Sequence, residues 1–383
     1  MADDPAVRDV ASCGSGRDGG RRVVIWRSCL LPGSETFVRN QGAALRRWRP
    51  TYLGAVRIAS PLAEDADVLA FPPGRRGRAG WLLLRLTGVS RRLTRRLAAL
   101  RPDVVHAHFG GDGRLVSRSA AALGVPLVVT LHGLDVTRQP NAPGVRGARH
   151  RRNLRTAFRR ASLVLAVSEF IRGRAIELGA DPAKVRVHHT GVPVPPVPAA
   201  VAKEWDVVFV GRFVAKKGVD DLVEALAALP RPRALFLGDG PLAAATRARA
   251  AELGIDATFL GACAPAEVRR HLAASRILAA PSRTAPDGDA EGLPTTILEA
   301  ASLGVPAVST YHSGIPEAVL AGETGLLGDE GDRAALADNI GRLLGDDELR
   351  TRLGNAARRH VAAHFDLARQ SRQLEELYDE LTR

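Results

Sequence analysis

The sequence predicts an α/β protein made of two doubly wound, Rossmann-like domains with a cleft between them. Its 383 residues exceed one ordinary domain and fit two of about 150–200 residues each. Short β-branched apolar segments alternate with longer helical patterns, which is typical of parallel sheets with crossover helices. A proline-rich segment, residues 191–203, interrupts this alternation before it restarts, so we expect it to link the two domains.

The first domain is predicted to span residues 21–190, after a polar, glycine-rich leader at 1–20 that we expect to be disordered. Apolar runs predict its strands at 22–26, 51–56, 67–71, 103–108, 126–131, 163–167 and 185–187. Helical periodicity predicts helices near 37–47, 80–100, 112–123, 146–160 and 168–179.

The second domain, residues 204–364, repeats the same alternation. Its strands are predicted at 206–210, 233–237, 258–260, 277–280 and 307–309. One helix is predicted to begin at Pro294, because proline suits the first helical position. The closing segment, 365–383, contains a helical pattern at 367–381, which is a candidate to pack back on the first domain.

Composition favours a globular protein of the reducing cytoplasm. Hydrophobic residues make up 45% of the chain and charged residues 25%, as in soluble domains. The three cysteines (Cys13, Cys29 and Cys263) include no close pair, which argues against a disulfide framework or a thiolate metal site. Residues 1–20 lack the apolar core of a secretory signal, and no stretch approaches the roughly 20 apolar residues that span a bilayer.

The net charge of +13 is concentrated in the first half, where residues 1–200 carry 33 Arg and Lys against 14 Asp and Glu. Residues 75–101 hold nine arginines and residues 146–160 hold seven, both without an acidic residue. Interleaved leucines make the first stretch amphipathic, and both stretches, 75–101 and 146–160, favour an anionic membrane surface on the inner face. The other interpretation is that these stretches are ordinary solvated faces, since a GC-rich genome favours arginine codons. Nucleic acid is disfavoured, because the chain has no recognisable stacking platform, helix-turn-helix or zinc module.

Glu291 and Glu299 flank the start of the helix predicted at Pro294. The free N–H groups of Thr295 and Thr296 would form an anion site at the positive end of that helix. Glu299 lies about 7.5 Å farther along the helix axis, which is about the distance from a nucleotide's phosphates to its ribose hydroxyls. Glu291, in the preceding loop, would face the sugar. This arrangement predicts a nucleotide-sugar site, although two glutamates beside an amphipathic helix are also ordinary.

Polar segments follow several predicted strands at their carboxyl ends, where open α/β sheets bind ligands. Gly211 and Arg212 end one strand, and Lys217 opens the next helix. Such cations would stabilise the charge that develops on a leaving nucleoside diphosphate. Equivalent positions in other connections are 32–36, 108–111, 132–135, 238–241 and 312–316.

Three motifs together resemble the retaining GT-B glycosyltransferases of glycosyltransferase family 4. They are Gly211-Arg-Phe-Val-Ala-Lys-Lys217-Gly218, Gly238-Asp-Gly-Pro-Leu242 and the segment from Glu291 to Glu299. Further motifs resemble the colanic-acid and exopolysaccharide branch of that family, namely Ser34-Glu-Thr-Phe37, His106-Ala-His-Phe-Gly110, Pro281-Ser282, Asp287-Gly-Asp-Ala-Glu-Gly-Leu-Pro294 and His312-Ser-Gly-Ile-Pro-Glu317.

The resemblance implies a role for each matching position. Arg212 and Lys217 would bind the donor diphosphate, Glu299 the ribose and Glu291 the donor sugar. His132 would lie close to the anomeric carbon, beside Gly133. The path of the sugar and phosphates would be lined by Gly33, Ser34, Gly211, Gly292, Leu293, Pro294 and Thr295.

The resemblance further implies a retaining reaction in which the acceptor attacks the donor sugar on the face that the diphosphate leaves. Glu291 would then position the donor and not form a covalent intermediate. We expect a hexose to move from a UDP-sugar or GDP-mannose to a lipid-linked oligosaccharide or another glycan acceptor in polysaccharide biosynthesis. A sugar-nucleotide 2-epimerase of the same fold and a non-catalytic sugar-nucleotide-binding protein remain alternatives.

We expect no cofactor and no metal, with the nucleotide-diphosphate sugar as co-substrate. Asp287 and Asp289 have the D-x-D spacing that binds metal in the other glycosyltransferase fold, but the GT-B prediction disfavours that role. His106 and His108 would share one strand face, and no third metal ligand accompanies them. The predicted location is the cytoplasm, with peripheral contact at the inner membrane face.

Overall fold

Seven parallel strands form the first sheet of the computed structural model, which describes residues 20–33, 35–60, 62–196 and 201–383. The strands are β1 (Arg21–Leu30), β2 (Trp48–Arg57), β3 (Val68–Leu69), β4 (Val104–His108), β5 (Leu127–Leu131), β6 (Leu163–Ala166) and β7 (Val185–Val187). The helices between them are α1 (Thr36–Ala43), α2 (Arg75–Thr87), α3 (Arg91–Leu100), α4 (Gly110–Ala122), α5 (Arg138–Asn141), α6 (Gly144–Arg160) and α7 (Glu169–Glu177).

Six parallel strands form the second sheet: β8 (Trp205–Val210), β9 (Ala234–Leu237), β10 (Ala257–Gly261), β11 (Ser275–Ala280), β12 (Ala307–Thr310) and β13 (Gly325–Gly328). Its helices are α8 (Val219–Ala227), α9 (Ala243–Glu252), α10 (Pro265–Ala273), α11 (Thr295–Ser302), α12 (Ile315–Ala318), α13 (Arg333–Gly345), α14 (Asp347–His364) and α15 (Leu367–Leu381).

Both sheets have the same doubly wound order, which confirms the predicted fold class. The strands run β3-β2-β1-β4-β5-β6-β7 in the first sheet and β10-β9-β8-β11-β12-β13 in the second. The order reverses between β1 and β4 and between β8 and β11, and such reversals open a crevice at the carboxyl ends of the strands. The inner strands are buried on both faces, which explains their continuous apolar sequences.

Several predicted elements need correction. The helix expected at 80–100 is two helices, because Gly88 ends α2 in a left-handed conformation with φ of +71°. Ser90 then caps α3, its side chain accepting a hydrogen bond from the N–H of Leu93. The strand expected at 67–71 contains only two paired residues, and the helix expected at 37–47 ends at Ala43. Strand β13 and helices α13 and α14 were not predicted.

Helix α15 packs on the first sheet. Leu374 and Tyr378 lie in one apolar cluster with Val23, Ile25 and Val104 of the first domain. The buried carboxylate of Glu375 accepts hydrogen bonds from the backbone N–H groups of residues 46, 47 and 48 at the start of β2.

The chain crosses between the domains twice, after β7 and after α14. Val192, in the segment expected to be a linker without regular structure, forms a parallel bridge with Asp366, so the two crossings lie side by side. Most of the expected leader, and residues 197–200 of the linker, lie outside the described residues. None of the helices described is both long enough and apolar enough to cross a bilayer.

Candidate active site between the two domains

The site begins at the carboxyl end of β8, where Gly211 is followed by a 3-10 turn at Ala215–Lys217. The side chain of Lys217 extends along Gly211, since a Cβ on that glycine would lie 3.4 Å from Cε of the lysine. Lys217 is therefore directed back to the end of β8, which is the edge of the sheet where ligands bind.

A buried ion pair joins Lys217 to Glu291. Oε1 of Glu291 lies 3.2 Å from Nζ of Lys217 and 3.8 Å from Nζ of Lys216. Burial would raise the pKa of the Glu291 carboxyl, but the two ammonium groups outweigh burial and lower that pKa to about 2. Glu291 is therefore a carboxylate at any physiological pH.

The backbone of Glu291 is fixed by His312. Nε2 of His312 accepts a hydrogen bond of 3.1 Å from the N–H of Glu291, and Nδ1 lies 2.5 Å from Oε1 of Glu330. Because Nε2 is the acceptor, the ring proton is on Nδ1 and is donated to Glu330. Glu330 also accepts from the N–H of Thr284, which holds the imidazole in one orientation. His312 therefore orients the loop that carries the Glu291 carboxylate.

Helix α11 begins immediately after this loop. Pro294 is its N-cap and not its first helical residue as expected, because ψ of Pro294 is extended at 108° and its carbonyl already accepts from the N–H of Ile297. The first two helical residues are thus Thr295 and Thr296. Amide N–H groups at this position have no acceptor within the helix, so the helix end can bind an anion.

The carboxylate of Glu299 lies farther along α11. Burial raises the pKa of this carboxyl to about 7, and Arg269 opposes the shift only partly. Within the described part of the chain, no hydrogen-bond donor contacts this carboxylate. It is thus available to accept hydroxyl groups from a ligand.

The first domain contributes His132, at the carboxyl end of β5. Oδ1 of Asp135 accepts hydrogen bonds from the N–H groups of His132 and Gly133, and Oδ2 accepts one from the N–H of Gly110. Nε2 of His132 lies 3.0 Å from Nδ1 of His108. Burial, together with the nearby Arg27 guanidinium, lowers the pKa of His132 to about 3, so the ring is neutral.

The two domains meet where Gly292 touches the turn at His132 and Gly133. A Cβ on Gly292 would overlap the carbonyl oxygen of His132, and a Cβ on Gly133 would lie 3.1 Å from the amide nitrogen of Gly292. Oγ of Ser168 donates a hydrogen bond of 3.0 Å to the carbonyl of Gly292. These contacts place His132 beside the loop that carries Glu291.

The other predicted positions have different surroundings. Arg212 is exposed, and its guanidinium makes no ion pair with any carboxylate in the described ranges. Leu293 is buried, whereas Gly33 is exposed in the β1–α1 connection. The first turn of α1, which follows this connection, reaches His132, because the ring centroid of Phe37 lies 4.7 Å from that of the imidazole. Ser34 lies outside the described residues.

The sequence did not single out Arg27 and Asp112, which form a buried charged cluster behind His132 together with Glu35 of the Ser34-Glu-Thr-Phe37 motif. Nε of Arg27 donates to Glu35 over 2.7 Å, and Nη1 pairs with Asp112. Burial opposes the charge of Arg27, but the two carboxylates hold its pKa above the ordinary value. Its guanidinium lies 4.4 Å from the ring centroid of Phe109, which in turn packs on His132. A basic residue inside an apolar strand was the sequence signal for this cluster.

The two motifs weighed as metal ligands have other partners. Asp287 forms an ion pair with Arg138, and Asp289 forms one with Lys216. The imidazole of His106 contacts Tyr378 Oη through Nδ1 and Thr130 Oγ1 through Nε2. No three His, Cys, Asp or Glu side chains of the described ranges are grouped as they would be around a metal ion.

Comparison with known proteins shows that each half of the chain matches a family model of glycosyltransferases. A model described as Glycosyltransferase Family 4 matches residues 32–194, and one described as Glycosyl transferases group 1 matches residues 195–360. WcaL of Salmonella typhimurium, named as a colanic acid biosynthesis glycosyltransferase, is 31% identical over 72% of this chain and 70% of its own length. The D-inositol 3-phosphate glycosyltransferase of Corynebacterium efficiens is 30% identical over 96% of this chain and 92% of its own.

The crystal structure of Anabaena Alr3699/HepE in complex with UDP-glucose has a similar fold. Its TM-score is 0.75 at 20% sequence identity, and the match covers 94% of this chain and 99% of that one. Together with the family models that match both domains, these relatives show that the chain belongs to glycosyltransferase family 4 and is a glycosyltransferase of GT-B fold.

Proposed function

We propose that this glycosyltransferase moves a hexose, with retention of configuration, from a nucleotide-diphosphate sugar to a glycan acceptor in polysaccharide biosynthesis. The observation that carries the proposal is the buried Lys217–Glu291 pair at the start of α11, directly beside His132 of the other domain. A paired carboxylate suits sugar hydroxyls, and the neighbouring helix end suits a diphosphate.

Each chemical group of the nucleotide-sugar substrate has a proposed binding partner in the protein. Lys217, exposed Arg212 and the amides of Thr295 and Thr296 would hold the diphosphate, while Glu299 would accept hydrogen bonds from the ribose hydroxyls. Glu291 would hold the sugar ring, and Gly292, Leu293 and Pro294 would line its path together with Gly211. Gly33 and Ser34 would close the phosphate side from the first domain. HepE is described in complex with UDP-glucose, which supports a UDP-sugar as the first donor to test.

In the proposed reaction, the bond between the anomeric carbon and the diphosphate oxygen breaks first. The acceptor oxygen then bonds to the anomeric carbon on the same face, and its proton passes to the leaving phosphate. The cations of Lys217 and Arg212 offset the charge that develops on the diphosphate, an effect that is largest in the transition state. Neutral His132 would contact the sugar without adding a positive charge beside the developing oxocarbenium ion.

The acceptor is proposed to be lipid-linked and reached at an anionic membrane surface. WcaL carries a name from polysaccharide biosynthesis, which supports a growing glycan as the acceptor class. Leu82, Leu83 and Leu86 of α2 are each more than half exposed among arginines. Such an amphipathic face can bury leucine side chains in a membrane interface while arginines contact anionic headgroups.

Removal of the cations tests the donor site. We expect Lys217→Ala or Arg212→Ala to lower turnover by about 10²–10³, because preorganised charge acts mainly in the transition state. Arg352→Ala, which removes an exposed arginine of α14, is the control and should retain turnover. The assay measures release of UDP or GDP with and without a glycan acceptor, after a thermal-shift panel has identified the donor nucleotide. Turnover close to wild type in both variants would refute the assigned roles.

A further inference from the structure

A series of cavities extends along α6 of the first domain, from an arginine pocket to the loop that carries Glu291. The arginine pocket, of about 270 Å³, lies between α4, α6 and the end of α2. It shares Arg114 and Arg149 with a cavity of about 770 Å³. That cavity shares Arg146 and His150 with a third one, of about 610 Å³, whose wall includes Asp287 of the second domain.

The arginine pocket is lined by five guanidinium groups and no carboxylate, namely Arg114, Arg118, Arg149, Arg152 and Arg160. None of the five forms an ion pair with any acidic side chain that the structure describes. Arg114 and Arg149 donate hydrogen bonds to the carbonyl of Arg85, near the end of α2. These bonds help to hold two of the five guanidinium groups in place. Burial and the neighbouring guanidiniums of Arg149 and Arg118 lower the pKa of Arg114, which indicates positive charge without a counterion.

An apolar cavity of about 570 Å³ lies on the other side of the end of α2 and shares Thr87 with the arginine pocket. Phe71, Leu83 and Val89 contribute to its wall, and the exposed leucines of α2 are next to it. A ligand that occupied both cavities would combine a hydrocarbon chain with an anionic group. The size and charge of the pocket suit a phosphate or diphosphate.

The cavities on the other side of the arginine pocket suit sugars. The 770 Å³ cavity is lined by the Trp81 ring together with polar side chains such as Gln139 and Asn153. The next cavity reaches Asp287, which is four positions before Glu291 in the same loop. The cavities therefore follow one another from an apolar wall, through a strongly cationic one, to mixed polar and apolar walls, the last of which includes Asp287 of the Glu291 loop.

We propose that the arginine pocket binds the diphosphate of a lipid-linked acceptor, with the hydrocarbon chain on the α2 side and the glycan directed along α6 to the active site. This inference rests on the proposed function and specifies its acceptor. A phospholipid headgroup has related chemistry, but it would leave without an occupant the two cavities beyond the arginine pocket, the second of which has Asp287 of the Glu291 loop in its wall. The pocket is therefore an acceptor site and not a general membrane contact.

The test uses the double variant Arg118→Ala/Arg152→Ala in the full chain. Its matched control is Arg155→Ala/Arg159→Ala, which removes two exposed arginines of α6 that do not line the pocket. Calorimetry measures the Kd of farnesyl diphosphate, a short probe with the same two chemical parts, and flotation measures binding to phosphatidylglycerol vesicles. We expect the pocket variant to raise the Kd of farnesyl diphosphate by about tenfold or more, since each arginine supplies charge-assisted hydrogen bonds. The control variant should match wild type.

Inorganic pyrophosphate should compete with farnesyl diphosphate, and UDP should compete no better than pyrophosphate, because its uridine is assigned to the other domain. Equal affinity of wild type and both variants would overturn the proposal, as would displacement of the probe by UDP at concentrations well below those that pyrophosphate needs. A pocket variant that loses vesicle binding but keeps the affinity for farnesyl diphosphate would assign the arginines to phospholipid and also overturn it. Donor binding is measured separately, so a failure of wild type to bind nucleotide sugars would refute the proposed function independently of the diphosphate result.

Discussion

Glu291 and Glu299 differ in charge state although they are only eight positions apart in the sequence. Glu291 is buried beside Lys217 and Lys216, and its pKa is lowered to about 2, whereas burial without an equivalent cation raises the pKa of Glu299 to about 7. The first is a permanent carboxylate, while the second titrates near neutrality. A permanent charge suits a group that holds the sugar beside developing positive charge. A carboxylate that lacks a donor gains most from the hydroxyls of a ligand.

The titration of Glu299 predicts a pH dependence of nucleotide binding. Ribose hydroxyls donate more strongly to the ionised form than to the neutral acid, so acidification below pH 7 should weaken donor binding as this carboxyl takes up a proton. Glu299→Gln should weaken binding above pH 7 by about ten- to a hundredfold, because hydrogen bonds to a charged group contribute about 1.5–3 kcal/mol. Calorimetry with the donor nucleotide at several pH values checks this.

The nucleotide's own phosphate also titrates and changes the affinity with pH. Because this contribution is the same for Glu299→Gln and wild type, it cancels when their pH profiles are compared. The wild-type affinity should fall more steeply with acidification than that of the variant. Parallel pH profiles for the two proteins would show that Glu299 does not bind the nucleotide.

At the scale of secondary-structure elements, the site is made by loops at the carboxyl ends of parallel strands. The β5–α5 connection places His132, the β8–α8 connection places Lys217, and the β11–α11 connection places Glu291. The two domains approach each other through backbone atoms where Gly292 lies against the carbonyl of His132. Gly133 and Gly292 allow this approach because glycine has no Cβ.

Gly292→Ala should therefore displace the Glu291 loop from His132. An added methyl group would overlap the His132 carbonyl, and a misplacement of about 1 Å can reduce turnover about 10²-fold. Donor nucleotide affinity should change much less, because most of its proposed contacts lie within the second domain. Steady-state kinetics and calorimetry measure the two effects.

The control for this substitution is Gly173→Ala in α7. A Cβ at Gly173 would have no atom within 4 Å, and alanine is favoured over glycine inside a helix by about 1 kcal/mol. This control should keep wild-type turnover and should be slightly more stable than wild type. Wild-type turnover in Gly292→Ala would show that the close contact between the domains is not required for catalysis.

At the scale of the whole molecule, the C-terminal helix completes the first domain. Oη of Tyr378 lies 2.6 Å from Nδ1 of His106, and both side chains are fully buried. The ring of His106 stacks on His108, which contacts His132. Residues far apart in the sequence thus support the side of the candidate active site that carries His132.

Tyr378→Phe should lower the free energy of unfolding by about 1–3 kcal/mol, because it leaves a buried ring nitrogen of His106 without a partner. Tyr311→Phe removes a hydroxyl from a tyrosine that is 54% exposed and is the matched control. Urea denaturation of both variants gives the comparison. An equal loss in the two variants would show that the Tyr378–His106 contact adds nothing to stability.

The sequence alone determined most of the α/β alternation, because strand and helix periodicities and turn residues are local properties. It failed where one residue changes a boundary, as at Gly88, and at Pro294, whose ψ angle depends on the preceding loop. Motif residues could be assigned to strand ends, since that position follows from a parallel sheet. Arg212, Lys217, Glu291, Glu299 and His132 were predicted as site residues on this basis and by resemblance.

Only the tertiary structure decided how those residues are paired and charged. Lys217 meets Glu291 across 74 positions of sequence, and Tyr378 meets His106 across 272. The opposite pKa shifts of Glu291 and Glu299, and the arginines without counterions beside α4 and α6, depend on which distant groups surround each side chain. Burial and Coulomb interactions act through space, so no local pattern in the sequence specifies them.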